Sequence, residues 1–196
     1  MNNLNRTTYN ILEIGSEKMN LKKIKTIGIF ITFGLCFINH FIYSWFPNPL
    51  TSIFFPVNES IWEHMKMMTT SIIMWSIIEF YLLKKYRINH NNYWISVFFT
   101  CIISIIIFLI IYYPIYLKIG ESFLINITVL FITIYISYII NYLIINKNHI
   151  MNDYIGTIGI ILIYIIFGIL TYYPIKNELF IDKTNNKYGI NNYLIK

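Results

Sequence analysis

Residues Tyr93 to Leu117 read Tyr-Trp-Ile-Ser-Val-Phe-Phe-Thr-Cys-Ile-Ile-Ser-Ile-Ile-Ile-Phe-Leu-Ile-Ile-Tyr-Tyr-Pro-Ile-Tyr-Leu, 25 consecutive positions without a charged side chain. Coiled into a helix at about 1.5 Å per residue they extend about 37 Å, enough to cross the roughly 30 Å hydrocarbon core of a bilayer. Three further charge-free windows reach span length: Thr26 to Phe46, Ser122 to Ile145 and Tyr154 to Ile175. A fifth, Met67 to Leu83, is interrupted only by Glu79. The expected fold is therefore all-α, a polytopic membrane protein built as a bundle of five transmembrane helices at 26–46, 65–85, 93–117, 122–145 and 154–175. A polar cytoplasmic segment (1–25) precedes the bundle, and a tail (176–196) follows it.

Composition agrees. Of 196 residues 57% are hydrophobic and only 12% charged, and the mean hydropathy is +0.58, outside the balance of water-soluble domains. No secretory signal peptide is apparent, because the first apolar window follows some 25 mostly polar residues and lacks a small-x-small cleavage site. Cys36 and Cys101 lie in separate apolar windows and read as small hydrophobes, not as a disulfide or a metal pair. The net charge of +6 comes from lysines beside the spans, with no basic-aromatic face for nucleic acid. The partner implied is the lipid bilayer.

Loop charges set the expected orientation. Arg6, Lys18, Lys22, Lys23, Lys25, Lys84, Lys85, Arg87 and Lys147 make nine basic residues on one side, against two, Lys66 and Lys118, near the short loops of the other. The excess places the amino terminus inside and the carboxyl terminus outside a multi-pass cell-membrane protein, although Lys176, Lys183, Lys187 and Lys196 of the tail blunt the contrast. The segment around Glu59 to Lys66, the Tyr112-Tyr113-Pro114 and Tyr172-Tyr173-Pro174 span ends, the tail and the end of span one with His40 then share the outer face. His90 and His149 fall on the inner one. The two Tyr-Tyr-Pro strings admit a parallel repeat, but interfacial aromatics and helix-ending prolines produce the same strings. Gly156, Gly159 and Gly168 are expected at close helix contacts. Asn126 and Asn141 are expected to hydrogen-bond between helices, and Glu79 to lie near the inner boundary as an interfacial carboxylate that reaches headgroups or pairs with a basic neighbour.

The chemistry concentrates in Pro56-Val57-Asn58-Glu59-Ser60-Ile61-Trp62-Glu63-His64-Met65-Lys66. Part of it needs no function. If Ser60 caps the second span, Glu63 completes a capping box; if Asn58 caps, Val57 and Trp62 form a staple and Glu59 opposes the helix dipole. Trp62 reads as an interfacial anchor and Lys66 as a snorkelling side chain. At 100° per residue Glu59, Trp62, Glu63 and Lys66 share one stripe, so Glu59 and Glu63 can grip one cation or polarise one water, with His64 as neighbouring base or ligand.

The binding candidates are thus Asn58, Glu59, Trp62, Glu63 and His64, with His40 and Asp182 brought in from span one and the tail. Glu63 and His64 are the candidate catalytic residues. Zinc takes three or four such ligands, and His40, Glu59, Glu63, His64 and Asp182 are the donors on this face, although no H-E-x-x-H motif joins them. The structural alternative hydrogen-bonds His40 and Asn39 to Glu63. Three functions fit: a pocket for a small molecule, ion or lipid headgroup; a membrane-embedded hydrolase with either a metal or His64 as base; and a structural subunit that docks a partner through Asn58 to Lys66.

The string His40-Phe41-x-Tyr43-x-Trp45, Val57-Asn58-Glu59-Ser60-x-Trp62-Glu63-His64-x-Lys66, Tyr173-Pro174, Leu179-Phe180-x-Asp182 and Tyr188-Gly189-Ile190 resembles a bacterial group of small polytopic membrane proteins, the domain of unknown function 6512. The likeness runs from about Phe37 to Ile190. It implies a polar constellation on one membrane face but carries no activity to transfer. In the family's pattern a second proline and a histidine follow Tyr-Pro, where this chain has Ile175 and Lys176; a family metal site using that histidine would lack a ligand here.

Overall fold

The computed structural model describes residues 19–120 and 122–190. Residues 1–18 of the polar segment and 191–196 of the tail, with Arg6, Lys18 and Lys196, lie outside the described residues. Six helices occur among those described: α1 (Leu21–Trp45), α2 (Pro49–Phe54), α3 (Ile61–Lys85), α4 (Tyr93–Ile119), α5 (Phe123–Ile145) and α6 (Asp153–Tyr172). Four of them, α1, α4, α5 and α6, are long and apolar enough to cross a membrane. A two-residue hairpin in the tail, β1 (Ile181–Asp182) and β2 (Lys187–Tyr188), adds the only strands among the described residues.

Polarity is distributed inside out. Phe123, Leu124 and Ile110 lie on the outside, as do Phe30, Ile158 and Ile166, whereas Thr32, Asn39, Ser71, Ser104, Thr133 and Ser137 are buried. Such an apolar exterior suits lipid, since a water-soluble monomer rarely exposes apolar patches of this extent. Helix α3 shows the pattern most strongly: it buries Glu63, Lys66, Thr69, Thr70, Ser76 and Glu79 and turns Ile77, Ile78 and Tyr81 outward. It packs against α1 and α4, while α5 and α6 pack on α4. Its charges are paired inside the bundle, which is why its composition is less apolar than its place in the packing.

Several boundaries move. Helix α1 starts at Leu21, five residues before the apolar window, because Asn20 caps it by accepting from the Lys23 amide at 2.9 Å. This carries Lys25 into the bundle, where it forms a buried ion pair with Glu79 of α3. Glu79 is thus an inward-facing partner and not an interfacial carboxylate. Helix α3 starts at Ile61 and not at Met65, capped by Ser60. Helix α4 runs through Pro114 to Ile119, so Tyr112-Tyr113-Pro114 does not end it, whereas Tyr173 closes α6. The two strings occupy different structural positions, which removes the support they gave to a repeat.

The short helix α2 was not read from the sequence. Its signal was present: Asn48 and Thr51 form a capping box and Pro49 takes the first position. Between α6 and α4, a Cβ at Gly156 would come within 2.4 Å of the Trp94 backbone, so only glycine permits that approach. Gly159 sits equally tightly against the Phe98 ring, while Gly168 has ordinary room. Asn141 donates from α5 to Thr100 of α4 at 2.7 Å, whereas the Asn126 Oδ1 has no partner among the described residues.

Candidate functional site

The polar string folds into two separate clusters. In the first, Glu63 and Lys66 form an ion pair sealed from solvent in the first turns of α3. Lys66 Nζ also donates to the Ser52 carbonyl of α2 at 2.7 Å and to Thr171 Oγ1 of α6 at 2.9 Å, which uses all three of its protons. Thr171 donates to Glu63 Oε1 at 2.8 Å, and the Val57 amide donates to Glu63 Oε2 at 3.1 Å. Every charge-bearing atom is therefore partnered, and the pair ties α2, α3, α6 and the 55–60 loop into one unit. An arrangement closed in this way has no donor or acceptor left for a ligand.

The second cluster is open. Ser60 caps α3 by accepting from the Glu63 amide at 3.4 Å, so Glu59 precedes the helix and leaves the stripe that a continuous wheel would assign it. Its carboxylate turns to α1, where His40 Nε2 donates to Glu59 Oε2 at 3.1 Å. His64 Nε2 lies 3.8 Å from the same oxygen, and the two imidazole rings are 5.8 Å apart. The His40 hydrogen bond holds the Glu59 carboxyl below its usual range, reinforced by both imidazoles against the opposing effect of partial burial. His64 Nδ1 lies 3.0 Å from the Ser60 carbonyl oxygen, which can only accept, so Nδ1 carries a proton and Nε2 is the atom turned toward Glu59.

These three side chains sit at one end of a cleft of about 320 Å³. Its remaining walls are apolar, among them Phe37 and Cys36 of α1, Met67 of α3, Phe108 of α4 and Leu130 of α5, interrupted by Asn126. The cleft is an apolar groove with a polar end, in contrast to the polar pocket anticipated from the string alone.

The tail supports this loop from behind. Asn58 donates to the Gly189 carbonyl at 2.9 Å and accepts from the Ser60 amide at 2.9 Å, an Asx turn that fixes the entry into α3. The Trp62 amide donates to the Leu179 carbonyl at 2.9 Å, and its indole packs on Phe167 and Phe180 at centroid distances of 5.0 and 4.8 Å. Gly189 adopts φ +60 within 2.5 Å of the Thr171 carbonyl by its would-be Cβ, a position closed to other residues. Asp182 is buried, and burial alone would raise its carboxyl. Hydrogen bonds from Thr184 (2.6 and 2.9 Å) and Asn185 (3.0 Å), with a longer one from the Glu59 amide (3.4 Å), hold it below its usual range instead.

The arrangement spans the whole of a recognisable sequence pattern. The family of unknown function DUF6512 matches residues 15–190. The chain belongs to this family. No curated protein and no solved structure matches it.

Within this family member the candidate residues divide. His40, Glu59 and His64 meet at the cleft. Glu63 does not join them, because it lies on the far side of the first turn, locked to Lys66. Asp182 reaches only the Glu59 backbone, and Asn58 and Trp62 bind the tail. His40 bonds to Glu59, not Glu63, and Asn39 donates to Ser71 at 2.9 Å. Lys66 does not snorkel. The reading missed Thr171 and Ser52, which complete the Glu63–Lys66 network; a lone hydroxyl in an apolar run gives no signal of its role. Of the two contacts open to Glu79, headgroups or a basic neighbour, it makes the second, with Lys25 of α1.

Proposed function

We propose that this protein crosses the cell membrane five times, amino terminus inside and carboxyl terminus outside, and binds an amphiphile in the cleft between α1, α3, α4 and α5. The single observation behind the binding role is the composition of the cleft: apolar walls of the kind that take an acyl chain, ending at an anionic carboxylate flanked by two imidazoles that suits a polar headgroup. Ligand sites commonly combine an apolar body with a few convergent polar groups. Support for α3 as the fifth span comes from its length, about 37 Å for 25 residues, and its central place in the packing. The basic excess on one set of loops supports the orientation.

The experiment is retention of lipid by purified protein, read by native mass spectrometry. Wild type keeps a bound lipid-like molecule, and Ile127→Trp, which fills the cleft from α5, releases it, while Ile158→Trp on the lipid-facing side of α6 has no effect. Equal retention in the wild type and the Ile127→Trp variant would refute the cleft as the site. A second reading, a hydrolase of a lipid or peptide, is favoured by the meeting of two imidazoles and a carboxylate at the polar end. Turnover of an ester or amide amphiphile by wild type and not by Glu59→Gln would support it.

A further inference from the structure

We infer that His40, Glu59 and His64 form a binding site for a divalent transition-metal ion of the zinc class, with its open coordination position facing the cleft. The inference goes beyond the amphiphile reading and stands without it. Ligand atoms from the three residues all lie within 4.8 Å of one another, with His40 Nε2 and His64 Nε2 at 3.1 and 3.8 Å from Glu59 Oε2. A tetrahedral zinc ion with N and O ligands at 2.0–2.1 Å needs neighbouring donors about 3.3 Å apart. The side chains need move by only fractions of an ångström to over an ångström to enclose an ion, and none changes its element or its place on it.

The chemistry of the donors agrees. Two imidazoles and a carboxylate are borderline donors that suit zinc, cobalt and nickel better than calcium or magnesium, which favour all-oxygen shells. His64 is set as a ligand by the hydrogen bond from Nδ1 to the Ser60 carbonyl, the outer-sphere contact that metal-bound histidines characteristically make. Its Nε2 is turned toward the Glu59 oxygen at 3.8 Å, too far for a direct hydrogen bond and open enough for a shared ion between them. To ligate through Nε2, neutral His40 would carry its proton on Nδ1 instead, exchanging its hydrogen bond to Glu59 for a bond to the ion. The ligands come from α1, the 55–60 loop and α3, so the ion would staple the end of α1 to the start of α3. Three protein ligands leave a fourth position, and since all three side chains line the cleft, that position is presented to whatever occupies it.

The test uses full-length protein in detergent, stripped with chelator and titrated with Zn²⁺ and Co²⁺. Saturable binding of one equivalent is expected, with the intense visible d–d absorption of four-coordinate Co²⁺. Glu59→Gln and His64→Gln each weaken binding by more than the roughly 100-fold that loss of an outer-sphere partner can cost. His90→Ala and His149→Ala, at the opposite end of the bundle, leave it unchanged. Variants are compared only where gel filtration and thermal unfolding match wild type, and His40→Gln serves if either of the first two fails to fold. No saturable binding by wild type, or binding that persists in every folded site variant, would overturn the site. Absence of any retained lipid in wild type, with metal binding intact, would instead count against the amphiphile reading alone.

Discussion

Glu59 and Glu63 stand four residues apart in one polar string, yet they meet opposite fates. Glu63 is sealed in the bundle, its oxygens shared among Lys66, Thr171 and the Val57 amide. Glu59 is partly exposed, faces two imidazoles and opens onto a cleft. The dividing feature is the helix start. Ser60 caps α3, so Glu63 is held by helical geometry while Glu59 belongs to the loop and is free to turn toward α1. A buried charge with all its partners present is a structural element, whereas a half-buried charge with a cavity before it is positioned to bind.

Removing Lys66 breaks the comparison most severely. Lys66→Met leaves Glu63 as an uncompensated buried carboxylate and is expected to cost about 3–5 kcal/mol, read by chemical or thermal unfolding in detergent. Replacing both partners, Glu63→Gln with Lys66→Met, should recover part of that loss, because the isolated charge is then gone. A double variant less stable than Lys66→Met alone would show that the pair is not acting as a unit.

Next in size is Gly189→Ala. A Cβ at φ +60 against the Thr171 carbonyl should destabilise docking of the tail by about 1–3 kcal/mol and expose Lys183 and Lys187 to trypsin well before the bundle unfolds. Unchanged protection of the tail would contradict its role as a support for the loop. Asp182→Asn should cost less, about 1–2 kcal/mol. Because the folded carboxyl is held below its ordinary value, its stabilising contribution is present above about pH 4 and is lost as the pH falls through the folded value, so the difference between wild type and variant should fade on acidification. A gap that widens toward low pH would refute that assignment.

The lipid-facing helices were the legible part of the sequence, since a helix that exposes isoleucine and phenylalanine to lipid declares itself by composition. Helix α3 was only partly legible. Glu79 is neutralised by Lys25 of α1, and Glu63 and Lys66 neutralise each other but are closed off by Thr171 of α6, more than a hundred residues away; no local pattern records these contacts between helices. For the same reason the string was recognisable as a site while its division was not. A helical wheel drawn from Glu59 assumes a helix that begins there with Asn58 as its cap, and the two-residue difference to the Ser60 cap moved Glu59 from the Glu63 stripe to the His64 side. Of the two glutamates open to His40, the structure gives it Glu59, and not the Glu63 of the hydrogen-bonded alternative.

The smallest expected effect on stability is that of Glu59→Gln. The Glu59–His40 contact is partly exposed, and such pairs contribute at most about 1 kcal/mol. Its consequence should fall on binding instead.

Thermal unfolding of Glu59→Gln and Glu63→Gln, side by side with wild type in one detergent without added metal, tests the division of the string most directly. Glu63→Gln should melt several degrees lower, and Glu59→Gln should melt close to wild type. A Glu59→Gln protein as destabilised as Glu63→Gln, or a Glu63→Gln protein as stable as wild type, would contradict it.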